Sequence, residues 1–443
     1  MEGLIMAAQL LLALSILVIL HEAGHYAAAR AFGIKVEKFY LFFDAWGFKL
    51  LSFTIKDTEY GIGWLPLGGY VKIAGMVDES MDTEAMKQPP QPWEFRSKPA
   101  WQRLIVMLGG VIVNAIVGIL IFSLMTFYYG EKYIPIEEVK YGIHALKFAQ
   151  EIGLKSGDKI IAINGKKVSR FDEVRSPDVI LKENTVFTVE RDGQVIDVPF
   201  PSNFLNRFTD DGGENYLDTR LLMKVDKVID TGSAFRAGIK PGDLLLTVDG
   251  DSVIFFDQLI DVLQKKRGTV VNMSLLRGKD TLTKQVAVND SGMINVGPDF
   301  KQIKYNTDHY SFFQSFPVGI NKGVNVFKDQ VKSWGKIFSG KIKFQNAVQG
   351  PIAMAGFYGG EWKWERFWAL TGLISLVLAF MNLLPIPALD GGHVVFLLIE
   401  MLRGKPLGDK FMEKAQVVGM VLLFGLMIFA FTNDIWRKIE KYF

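Results

Sequence analysis

Four long apolar segments divide the chain: Leu4–Phe32, Leu104–Tyr129, Phe367–Leu384 and Val417–Phe431. A bilayer core about 30 Å thick needs roughly 20 apolar residues in helical form, so each segment predicts a transmembrane helix, the fourth short but closed by an aromatic end. Phe39–Ile73 has a different texture. Its aromatic and β-branched residues are punctuated by glycine and proline, most densely in Gly61–Ile73, which predicts β-hairpins with unusually apolar turns. Residues 78–100 are acidic, polar and broken by Pro89, Pro90 and Pro92, and predict irregular chain. Further on, Ile320, Val324, Phe327, Val331, Trp334 and Phe338 recur every three or four positions among lysines. That spacing predicts an amphipathic helix, lying either on the membrane surface or on a neighbouring module.

Between the second and third apolar segments the sequence repeats itself. Gly153–Val168 aligns without a gap on Gly238–Val253, with six of sixteen positions identical, and Phe171-Asp172 returns as Phe256-Asp257. Each copy reads as turn, apolar strand, Asn-Gly or Asp-Gly turn and second strand, followed by a helix and further strands. The pattern G-[LI]-K-[SP]-G-D…[ND]-G resembles the PDZ domain, a module that takes extended peptides by adding them to a sheet edge.

Charge sets the expected orientation. Nine lysines and arginines lie in loop 31–103, from Lys35 to Arg103, and Arg403, Lys405, Lys410 and Lys414 sit between the third and fourth segments, whereas residues 1–3 carry none. The positive-inside rule places both basic loops in the cytoplasm and the 130–366 segment outside. An acidic Glu2 and the lack of a basic start argue for a retained first helix over a cleaved signal. Overall, 50 basic against 47 acidic residues give a net charge of +3, with no basic footprint for nucleic acid, which excludes that class of partner. The chain has no cysteine, so any metal must be held by His, Asp or Glu.

Candidate chemistry lies inside the first apolar segment, at His21-Glu22-Ala23-Gly24-His25. Residues four apart share a helical face, so both imidazoles can hold one zinc ion with Glu22 near enough to act as general base. The rise from Leu4 to His21 is about 26 Å, which sets the motif deep in the bilayer, toward the cytoplasmic side. Such groups are costly in hydrocarbon, and function is their default explanation. The second segment adds Gly109-Gly110 and Asn114: small residues permit close helix approach, and the buried amide needs an interhelical partner, a structural role. The third segment ends in Asn382-Leu-Leu-Pro-Ile-Pro-Ala-Leu-Asp390-Gly-Gly-His393, where two prolines unwind the helix. Asp390 is placed to complete a His-His-Asp site with a fourth position left for water, and His393 competes on residue type alone.

With H-E-x-G-H in the first span, tandem PDZ modules and L-D-G-G late in the chain, the sequence resembles the site-2 intramembrane metalloproteases over nearly its whole length. The resemblance implies zinc on His21, His25 and Asp390, Glu22 as base, and Asn382 assisting substrate or transition-state binding. It also implies a bacterial inner-membrane enzyme with periplasmic PDZ modules, cleaving single-span membrane proteins such as an anti-sigma factor of the extracytoplasmic stress response, and leftover signal peptides. A substrate helix must unwind before hydrolysis. A strand partner from Gly61–Ile73, with Gly68, Gly69 and Val71 as contact residues, would replace its backbone hydrogen bonds.

The expected fold is thus a polytopic α-helical membrane protein with four transmembrane helices, a membrane-associated β-hairpin region and two extracytoplasmic PDZ domains. Its divisions are the first helix (1–32), a cytoplasmic loop with the hairpins (33–103), the second helix (104–129), two PDZ modules (130–220 and 221–308) and an amphipathic segment (309–366). The third helix region with the L-D-G motif (367–402) and a loop with the fourth helix (403–443) complete the chain. The modules, between the second and third spans, are expected to filter substrates by the size of their outside domain.

Overall fold

The computed structural model describes residues 1–66, 68–76, 88–182, 184–210 and 216–440. They form two compact units, one of Met1–Gly130, His309–Gly335 and Phe344–Phe443, the other of Glu131–Asp308 and Lys336–Lys343. Of the segment expected to be irregular, 78–87 lies outside the described residues, and Phe95–Ser97 forms a single 3-10 turn.

Among the described residues six long helices organise the first unit: α1 (Glu2–Ala31), α2 (Ala100–Tyr129), α3 (Phe312–Phe338), α4 (Trp364–Asn382), α5 (Asp390–Arg403) and α6 (Asp409–Glu440). Among the described residues α1, α2, α4 and α6 are long and apolar enough to cross a membrane. The α2 helix is central, packed against α1, α4 and α5. One of its faces carries the exposed Ile105, Ile112, Ile116 and Leu120, as contact with lipid requires, and the other buries Gly109, Gly110, Asn114 and Gly118. Glycine is needed at Gly118, where a Cβ would come within 2.6 Å of the Leu376 side chain on α4.

The amphipathic helix appears as α3, but not with its apolar stripe inward. Its buried residues are Ser315, Gly319 and Gly323, and a Cβ at Gly319 or Gly323 would strike Ser123 or Ile119 of α2. Ile320, Val324 and Val331 are left exposed. Close approach through small residues decides which face packs when the surrounding solvent is itself apolar.

Four strands follow α1: β1 (Val36–Leu41), β2 (Lys49–Ile55), β3 (Thr58–Gly63) and β4 (Tyr70–Ile73). Only part of this sheet is the expected hairpin. Its order is β2-β3-β1-β4, with β2 and β3 antiparallel across the Lys56-Asp57 turn and β1 and β3 parallel. The β2–β3 excursion leaves one side of β1 for β3 and the other for β4, a non-sequential pairing that local pattern does not encode. The β2 edge exposes Leu50, Leu51, Phe53 and Ile55, an arrangement prone to aggregate in water and suited to a lipid surface.

The second unit contains two hydrophobic cores, one drawn from residues between Ile134 and Leu217 and one from residues between Met223 and Ile294. Their four-stranded sheets share one topology. Lys159–Ile163 lies between Lys166–Lys167 and Val186–Arg191, with Gln194–Pro199 outermost. Leu244–Val248 lies in the same way between Asp251–Ser252 and Val270–Arg277, with Asp280–Ala287 outermost. The repeat extends to a buried ion pair. Asp158 accepts from Arg191 Nε at 2.7 Å and from the Lys155 N–H at 2.8 Å, while Asp243 accepts from Arg277 Nε and the Lys240 N–H, both at 2.8 Å. In each copy the arginine also donates to a glycine carbonyl, that of Gly153 or Gly238. This is the architecture expected of paired PDZ modules.

Burial opposes ionisation of Asp243, but the Arg277 fork and the Lys240 N–H outweigh it and hold the carboxyl below the usual carboxylate range. A depressed folded-state value means that the stabilisation is complete above the unfolded value, about pH 4, and is lost as pH falls through the lower folded value. Asp243→Asn should therefore cost the expressed 131–308 segment about 2 kcal/mol at neutral pH. Thermal melts should also show a weaker acid dependence below about pH 4 than wild type.

Candidate metal centre

The helical repeat of α1 sets His21 and His25 one turn apart, and their Nε2 atoms approach to 3.3 Å. Room for two imidazoles comes from α2. A Cβ at Gly24 would lie 2.3 Å from the Gly109 carbonyl oxygen, so the two backbones touch. One at Gly110 would lie 2.4 Å from His21 Cε1 and 2.5 Å from His25 Nε2. Side chains there would push the helices apart or occupy the imidazoles' space.

Asp390 arrives from the other end of the chain as the first residue of α5. Its Oδ2 lies 3.3 Å from His21 Nε2 and 3.4 Å from His25 Nε2. The turn between α4 and α5 is tightly held. Ala388 adopts a left-handed φ of 78°, its N–H donates to Gln416 Oε1 on α6 at 3.2 Å, and Gly419 admits the Pro387 carbonyl where any Cβ would collide.

Among the described residues, these are the three side chains whose ligand atoms cluster within 4.8 Å as a possible metal group. The donor set fits zinc. Two imidazoles and a carboxylate leave a fourth position open, and a tetrahedron with bonds of about 2.05 Å has edges of about 3.3 Å, close to the three separations seen. Asp390 Oδ2 is also buried without a hydrogen-bond partner, an expensive state that a cation at the centre of this triangle relieves. His25 Nδ1 lies 2.8 Å from the Val106 carbonyl oxygen, which fixes the tautomer with Nδ1–H donating and the Nε2 lone pair free.

The remaining expected residues divide. Glu22 interacts with both imidazoles and Asp390 and faces the backbone of Val71 on β4. Asn382, the last residue of α4, brings Nδ2 to 3.3 Å from His21 Nε2. Gly69 abuts α1, where a Cβ would lie 2.6 Å from Val18 Cγ1 and 3.6 Å from Glu22 Cγ. Gly68 instead adjoins the Phe43 ring, where a Cβ would lie 3.2 Å from Phe43 Cε2. His393 lies outside the triad and sets its ring 6.3 Å from that of Phe396. One residue acquires importance that the sequence did not signal. Gln416 stands one position before the expected fourth span and reads there as a polar flank, whereas it holds the Asp390 turn. Asn114 has the interhelical partner its burial demands, and that partner is His21, with Asn114 Nδ2 3.1 Å from His21 Nδ1.

Gly110→Ala should lower zinc affinity at least about tenfold, because a displacement of this kind disturbs ligand placement directly. Metal analysis of the purified variant after chelator competition measures it, and full zinc retention would contradict this role for Gly110.

Comparison with known proteins agrees with the geometry. The chain matches the model of Peptidase family M50 over residues 9–426. It is 27% identical to the Regulator of sigma E protease of Haemophilus influenzae, covering 96% of this chain and 98% of the relative. It is 28% identical to Metalloprotease MmpA of Caulobacter vibrioides, covering 98% of this chain and 96% of the relative. A match across almost the entire length, with the histidines and the distant aspartate both inside it, makes this chain a zinc metalloprotease belonging to peptidase family M50.

Proposed function

We propose that the enzyme hydrolyses peptide bonds within the transmembrane segments of single-span membrane proteins. The observation that carries this reading is the convergence of His21, Glu22, His25 and Asp390 among helices long and apolar enough to span a bilayer. The name of the Haemophilus relative, a regulator of sigma E, favours an anti-sigma factor of the extracytoplasmic stress response as substrate, and remnant signal peptides are a further class in this proposal. The basic loops favour an orientation in a bacterial inner membrane that sets the metal toward the cytoplasm and residues 131–308 in the periplasm.

In this mechanism His21, His25 and Asp390 would hold zinc, which would polarise the scissile carbonyl as a Lewis acid and lower the pKa of the attacking water toward about 7. Glu22 accepts the proton released on attack and returns it to the departing amine. Asn382, beside His21 Nε2, donates an amide N–H to the oxygen that gains charge. The β4 strand is a sheet edge with β1 on one side only, and Val71 within it faces Glu22. A substrate segment that unwinds can pair along that edge, recovering backbone hydrogen bonds that hydrocarbon cannot supply.

A membrane-spanning reporter tests both parts of the mechanism. Glu22→Gln should lower cleavage at least about 100-fold while zinc is retained. Val71→Pro, which removes from the edge strand the backbone donor that Glu22 also meets, should reduce cleavage with zinc unchanged. Wild-type turnover in Glu22→Gln would reject the hydrolytic mechanism, and wild-type turnover in Val71→Pro would reject strand pairing.

A further inference from the structure

We propose that Asn114 is a positioning residue of the metal centre, its side-chain oxygen accepting the Nδ1–H of His21 and so holding that imidazole ready to ligate. The inference rests on the reading of His21, His25 and Asp390 as the zinc ligands.

His21 turns Nε2 toward His25 and Asp390, at 3.3 Å from each ligand atom. A neutral imidazole that ligates through Nε2 carries its proton on Nδ1, and that proton needs an acceptor. The Asn114 amide is the neighbour at this position, with Nδ2 placed 3.1 Å from Nδ1, which would set two donors face to face. Meanwhile Asn114 Oδ1 is buried without a partner, in a residue only 1% exposed. A half-turn of the amide about χ2 exchanges the two atoms. It gives the His21 proton its acceptor and replaces a contact between two donors with a hydrogen bond.

The surroundings fit this role. Ser375 on α4 donates to the Asn114 backbone carbonyl at 2.7 Å, fixing α2 at this residue. Val106, Gly110 and Asn114 follow one another at four-residue intervals along one face of α2. The first accepts from His25 Nδ1, the second leaves space for both rings, and the third meets His21 Nδ1. A single helix therefore supplies the outer partner of each histidine.

The test compares zinc affinity, by chelator competition, in full-length wild type, Asn114→Asp, Asn114→Leu and a His25→Ala control in detergent. Aspartate can accept from Nδ1–H and leucine cannot. The expected result is affinity within about threefold of wild type for Asn114→Asp and a loss of about 10–100-fold for Asn114→Leu. A purely packing role predicts the reverse order, since a buried carboxylate without the imidazole donor is worse tolerated than leucine. Wild-type affinity in Asn114→Leu, or an equal loss in Asn114→Asp, overturns the assignment while leaving the ligands intact. Zinc retained by His25→Ala overturns the ligand set itself, and this proposal with it.

Discussion

Direct backbone contact between Gly24 of α1 and Gly109 of α2 is the constraint on which the site depends. Helices in a bilayer gain no hydrophobic advantage from meeting one another, so they associate where small residues let backbones touch. Here that contact falls within the H-E-x-x-H turn. It brings the Val106 carbonyl to His25 and leaves the space above Gly110 for both rings. A larger residue at either position would separate the helices and remove these relationships together. The candidate metal motif and the helix-packing motif are one feature seen from two sides.

The third member of the candidate metal cluster depends on a different device. Asp390 stands beyond a turn that two prolines exclude from helix, that Ala388 enters with a left-handed backbone, and that Gln416 and Gly419 of α6 hold from outside. The last span thus takes part in aiming the carboxylate. A long insertion between the two halves of the site is tolerable because its ends meet. Glu131–Tyr133 pairs with Asn306–Asp308, so the inserted unit leaves beside where it entered.

Much of this was legible in the sequence because it rests on strong local signals. Apolar length reveals the spans, and four-residue spacing brings His21 and His25 together. The Gly153–Val168 and Gly238–Val253 repeat announces two modules of one topology. Glycine beside glycine at 109–110 signals close helix contact. Other features depend on partners distant in sequence. The parallel pairing of β1 with β3 is set by where the chain returns, and hairpin-like texture does not reveal it. The stripe from Ile320 to Phe338 marks an amphipathic helix without saying which face meets another helix, and α3 packs through Ser315, Gly319 and Gly323. Gln416 looks like an ordinary polar flank of a membrane helix, and Asn114 shows only that it needs a partner, until the groups opposite them are known.

The most direct test of the account is X-ray absorption at the zinc edge of the full-length protein in detergent. One ion per chain is predicted, with two imidazole nitrogens and light oxygen donors at about 2.0–2.2 Å in four-coordinate geometry. A shell of three imidazoles, which would bring in a further histidine such as His393, or an ion without imidazole ligation, would contradict the site described.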